Sequence, residues 1–166
     1  MTVIVLLVAT AAFRLLGVLG VGRFGTWRVS AAHGLAVMLV MTASAHFVPA
    51  GVTFMPNHAD MAAMVPPFVP FPALMVYLTG VLELAGAVGL VLEGTRRAAG
   101  ICLALLFVVL LPANVYAAVA ETTLASPLWQ RIPEQVLYIA AALWGGFSGP
   151  SGRRRAAVSG SSSRRR

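Results

Sequence analysis

Long apolar runs separated by short polar breaks set the pattern of this chain. The runs are Val3 to Gly22, Ala31 to Val48, Ala73 to Leu92, Ala98 to Val119 and Ile132 to Ser148. None alternates apolar and polar residues with the period of two that marks a half-buried strand. As helices they rise ~25–33 Å, close to the hydrocarbon thickness of a bilayer. The pattern therefore predicts an all-α, polytopic membrane helix bundle with five spans. The last is the weakest, because Glu134 and Gln135 leave only Val136 to Phe147 fully apolar.

The third run, ALMVYLTGVLELAGAVGLVL, organises the rest. It carries one ionisable residue, Glu83, near its middle. A carboxyl at that depth costs ~2.5–3.5 kcal/mol on insertion scales. Protonation, a hydrogen-bonding partner or a wet cavity must offset that cost. Gly80, Glu83 and Gly86 are three apart and share a face, and two glycines let a neighbouring helix approach closely. That face is expected to point into the bundle. Two readings stay open: a neutral carboxyl satisfied by a neighbour, or a group that handles a ligand, a proton or a partner.

The breaks carry further signals. In the first run, Arg14 lies a little past the midplane, where it either snorkels to the headgroups or pairs with Glu83. There is no basic stretch before this run, so it reads as a retained helix rather than a cleaved leader. Arg23, Trp27 and Arg28 mark an interfacial loop. His33 begins the second run, and Ser44 and His46 make its far end polar. Six prolines between Pro49 and Pro72 exclude a long helix there. Within that segment Asn57 is placed to cap a short helix over Asn57 to Val65. His58 and Asp60 read as a solvated pair. Gly94 is expected in the left-handed cap position after the third run, with Thr95 capping the next helix. Pro112 leaves the Val108 carbonyl without its usual donor, which predicts a kink that delivers Asn114 and Tyr116 to the outer half. Residues 1–148 thus form one transmembrane bundle. The Arg/Ser-rich tail over 149–166 is expected to be disordered and cytoplasmic.

Composition sharpens the class. The chain is 59% hydrophobic and 10% charged, against about 25% charged in soluble domains, so a soluble globular protein is excluded. The net charge is +7, but it is not a nucleic-acid signal. All basic residues are arginine, and ten of the twelve fall on one side of the expected spans. The positive-inside rule then places the N-terminus outside and the C-terminus in the cytoplasm of a cell-membrane protein. Cys102 is the single cysteine. It excludes a dithiol mechanism and is expected to be inert, in the core or facing lipid.

Five stretches together resemble the DoxX and DoxX-like membrane protein family. They are SAHFVP (44–49), MVPPFVPFP (64–72), YLTGVLELAGAVGLVLEGTRRAAG (77–100), PANVYAA (112–118) and WQRIPEQ (129–135). The resemblance covers about residues 31–147. It implies a four-helix DoxX-like core, to which this chain adds an N-terminal transmembrane helix. It also implies a link to membrane redox complexes, such as thiosulfate:quinone oxidoreductase subunits, although most of the family has no assigned activity.

The candidate site is a small polar pocket near the outer leaflet. Glu83 forms its floor, and His46, Tyr77 and Asn114 are its other ligand-binding residues. No catalytic constellation, metal-ligand cluster or covalent cofactor motif is present, so the chain does not read as an enzyme. The leading expectation is a non-catalytic subunit or accessory of a quinone-linked redox system. Quinone is the candidate cofactor, and a redox complex or a second copy of the chain is the candidate partner, within the lipid bilayer. The alternative is a lipid or small-molecule binding or transport protein, or a scaffold, with no redox role.

Overall fold

The computed structural model describes residues 1–122 and 124–147. The tail expected over 149–166, and Ser148 at the end of the last run, lie outside them. The described residues fold into helices joined by turns and loops. They are α1 (Thr2–Val18), α2 (Trp27–Ser44), α3 (His58–Ala63), α4 (Pro72–Val91), α5 (Arg96–Val119) and α6 (Leu128–Gly146). Single 3₁₀ turns at Gly22–Phe24 and Ala45–Phe47 flank α2.

Three segments are long and apolar enough to cross a membrane: Trp27–Phe47, Pro72–Val91 and Arg96–Val119. Helix α1 is a shorter apolar helix. The most buried segment is Trp27–Phe47, 72% buried against 28% for each of the other two, which makes α2 the central element. It packs against α1, α4 and α6, and α5 closes the ring between α4 and α6. Core residues come from all five long helices and include Leu6, Leu39, Leu90, Leu103, Phe107 and Ala142. A hydrogen bond of 2.6 Å between the Thr2 and Tyr138 hydroxyls ties α1 to α6.

Local chemistry explains where the helices begin. Helix α2 starts at Trp27, ahead of the expected Ala31, because Thr26 is extended and its hydroxyl accepts from the Val29 N–H at 3.3 Å. Helix α3 has a capping box: the Asn57 side chain accepts from the Ala59 and Asp60 N–H groups, and Asp60 accepts from the Asn57 N–H. Helix α4 begins with Pro72 at its first turn, after Phe71 in the left-handed region at φ 54°. That conformation is uncommon for a bulky residue and turns the proline-rich segment sharply into the helix axis.

Two expected caps are not formed. Gly94 does not take a left-handed conformation; among described glycines only Gly20 does, at φ 103°. Helix α4 ends earlier, at Val91, with an extended Leu92, so no left-handed residue is needed. Thr95 holds the N-cap position of α5, but its hydroxyl donates back to the Gly89 carbonyl at 3.0 Å. It therefore fastens the α4–α5 turn instead of capping α5.

Glycines set the closest crossings. A Cβ on Gly100 would lie 2.5 Å from the Ala142 carbonyl oxygen and 2.9 Å from the Gly146 Cα, so α5 and α6 meet backbone to backbone. Replacing Gly100 by Ala is expected to lower stability by ~1–3 kcal/mol through overpacking, while Gly51→Ala, in open space, stays within ~0.5 kcal/mol. Thermal unfolding in detergent checks this; equal behaviour of the two variants would refute the crossing.

Candidate functional site

Helix α4 turns Gly80, Glu83 and Gly86 inward, and all three are buried. Gly86 lies against Leu103 of α5. Gly80 lies against the 3₁₀ turn that extends α2, where an added Cβ would be 2.7 Å from the Cβ of His46. That close approach brings the imidazole of His46 beside Glu83, one helical turn along α4.

Glu83 is 7% exposed and His46 is 8% exposed. The Thr42 hydroxyl donates to Glu83 Oε2 at 3.4 Å. On the other side Glu83 Oε1 lies 3.9 Å from His46 Nε2. His46 Nδ1 is 2.7 Å from the Val76 carbonyl. A carbonyl only accepts, so Nδ1 carries a hydrogen and donates it. In a neutral ring that leaves a bare lone pair on Nε2. A carboxylate oxygen facing that lone pair would be repelled. The contact is favourable when one proton resides on either Nε2 or the carboxyl. Glu83 and His46 are thus buried side by side in an arrangement that a single proton on either group favours.

A second layer covers this pair. Helix α3 folds back so that His58 Nδ1 donates to the His46 carbonyl oxygen at 2.8 Å. The His58 ring stacks on Tyr77 with centroids 4.0 Å apart and planes 22° from parallel. Its Nε2 is buried without a hydrogen-bond partner. This corrects the reading of His58 and Asp60 as a solvated pair: Asp60 is spent on the capping box, and His58 docks on the site.

The four expected ligand-binding residues thus fall into two groups. Glu83 and His46 are in direct contact, and Tyr77 joins them through His58. Asn114 turns towards α6, where its side-chain amide donates to Gln135 Oε1 at 3.4 Å. Gln135 in turn donates to the Phe107 carbonyl at 2.6 Å, in the turn of α5 before Pro112. Asn114 and Gln135 thus serve the proline-containing stretch of α5.

The Arg14–Glu83 pair is not formed. The Arg14 guanidinium lies over the Trp27 ring, 5.6 Å from its centroid. Trp27 and Thr42 stand at opposite ends of α2, ~22 Å apart along its axis. The cause is the length of α1. It ends at Val18 and the chain turns at Gly20, which carries Arg14 to the wrong end of the bundle. Cys102 is exposed, on an apolar groove between α4 and α5. Among the described residues no three His, Cys, Asp or Glu side chains converge as a metal site requires.

A family model matches residues 35–145, and its description is a domain of unknown function, DUF8561. That stretch is about two thirds of the chain, and the protein belongs to this family. It contains Thr42, His46, His58, Tyr77 and Glu83 and leaves α1 outside. No curated protein and no solved structure matches the chain. The resemblance to the DoxX family is carried by its five sequence stretches alone.

The charge swap Arg14→Glu with Glu83→Arg is expected not to recover membrane expression lost in Glu83→Arg alone. Recovery, measured by quantitative membrane blotting, would restore the Arg14–Glu83 pair.

Proposed function

We propose that this chain is a DoxX-like multi-pass protein of the cell membrane. In this reading it serves a quinone-linked redox system as a non-catalytic subunit, and the Glu83–His46 pair holds a proton for it. The observation that carries the reading is the buried carboxyl–imidazole contact of 3.9 Å, with Nδ1 of the imidazole already committed to Val76. Ionisable groups at such depth in apolar helices mark proton or ligand paths. Oxidation of a bound quinol would pass two electrons to the redox partner and release two protons; the pair, having first given up its own proton, would take one, and Nε2 of His58 would take the other. The unpartnered Nε2 of His58, beside Tyr77, is the acceptor offered to a quinol hydroxyl.

The architecture proposed with it is five spans, a four-helix DoxX-like core of α2, α4, α5 and α6, and α1 as an added outer helix. Charge supports an orientation with the N-terminus outside and the C-terminus in the cytoplasm. Arg14, Arg23, Arg28, Arg96 and Arg97 gather at one end, with Glu93 the acid beside them. Arg131 stands at the other end, 3.9 Å from Glu134. Basic ends face the cytoplasm. A second reading, lipid binding without a redox role, draws on two apolar grooves along α4.

Native mass spectrometry of the protein released from nanodiscs doped with ubiquinone or menaquinone tests the first reading. Wild type is expected to retain quinone and Glu83→Gln to lose at least ~10-fold of it, the equivalent of 1.4 kcal/mol. Equal retention by both, or none by wild type, contradicts the proposal.

A further inference from the structure

The groove on the arginine-rich side of α4 has a shape and a charge that specify an occupant. It encloses about 620 Å³ between α1, α2 and α4. Its walls include Phe13, His33, Val37, Val40, Leu84 and Val88. Along α4 it runs from Leu84 to Leu92, ~12 Å at 1.5 Å per residue. One leaflet of a bilayer is ~15 Å deep. The groove thus spans most of the depth of a single leaflet and ends near the middle of α4.

Its other end is cationic. Val91 and Leu92 line that end, and the Val91 carbonyl accepts from Arg23 Nη2 at 2.6 Å and from Arg96 Nη2 at 3.2 Å. Arg96 is buried and also holds the Leu90 carbonyl. Arg23 is exposed. Its carbonyl contact uses one of five N–H donors, and among the described residues no carboxylate pairs with it. Trp27, 54% exposed and beside Arg14, has the composition of a headgroup-level residue. The wall also holds one unsatisfied polar atom. His33 is 5% exposed, its Nδ1 donates to the Val29 carbonyl at 2.8 Å, and its Nε2 is buried with no partner.

We infer that this groove is a binding site for one anionic phospholipid, with an acyl chain along Val37, Val40, Leu84 and Val88 and its phosphate on Arg23. The inference rests on the membrane-spanning reading but not on the quinone site, which lies towards the opposite end of α2. Arginine recognises phosphate in a fixed bidentate geometry. Basic pockets between helices on the cytoplasmic side take anionic headgroups in this way. A zwitterionic lipid would fill the same groove without that preference.

The full chain in nanodiscs of equal phosphatidylglycerol and phosphatidylcholine, released and weighed by native mass spectrometry, tests the site. Wild type is expected to retain one phosphatidylglycerol at least ~5-fold over phosphatidylcholine, about 1 kcal/mol. Arg23→Gln should bring the ratio close to one. Val88→Trp changes a groove-wall residue that is 60% exposed and should expel the lipid while leaving the helical content of the folded chain unchanged. Equal retention of both lipids by wild type would overturn the proposal. An undiminished preference in Arg23→Gln or in Val88→Trp would do so too. Quinone retention in the same spectra reports separately on the Glu83 site.

Discussion

The approach of α4 to the end of α2 is the contact on which the rest of the molecule depends. Gly80 has no side chain where His46 needs to be, and a Cβ there would lie 2.7 Å from His46. Because the helices close at that point, the imidazole reaches Glu83 and its Nδ1 reaches the Val76 carbonyl. Thr42, one turn back on α2, reaches the other carboxyl oxygen. An acid that would be prohibitive in an isolated apolar helix thus has a polar contact on each oxygen. Helix α3 then closes over the pair, with His58 on the His46 backbone and Tyr77 under its ring.

The two ends of the bundle divide the chemistry. One end holds the buried acid, two histidines and a tyrosine, which suit proton and hydroxyl groups. The other holds an apolar groove whose Val91 carbonyl is held by Arg23 and Arg96, which suits a phosphate with a fatty tail. Helix α2 runs between them; it carries His33 at one end, and the 3₁₀ turn that extends it carries His46 at the other. Both rings commit Nδ1 to a backbone carbonyl, and they differ only in what faces Nε2. For His46 it is a carboxyl. For His33, whose ring packs against those of Phe13 and Phe24, Nε2 has no hydrogen-bond partner.

Much of this frame was legible in the residues. The extent of α4 and its inward face followed from an apolar run with one acid and glycines three positions to either side. Asn57 as a cap located α3. Thr42 was missed because a lone threonine in an apolar helix reads as filler, yet its spacing of four from His46 was a usable signal that both share a face. His58 was missed because its position depends on how a proline-rich loop folds back, a tertiary matter that local pattern does not reach. Of the two readings of Arg14, the pair with Glu83 is the one not formed, because the turn at Gly20 ends α1 at Val18 and sets Arg14 beside Trp27. Asn114 was assigned by depth alone, and depth does not say which neighbour a side chain turns towards.

A double-mutant cycle on Glu83→Gln and His46→Gln, read as unfolding free energy in nanodiscs, tests the central claim most directly. A shared proton couples the two residues, so the cycle should return an interaction of ~0.5–3 kcal/mol. Additive effects, with an interaction indistinguishable from zero, would mean that the carboxyl and the imidazole do not act as a pair.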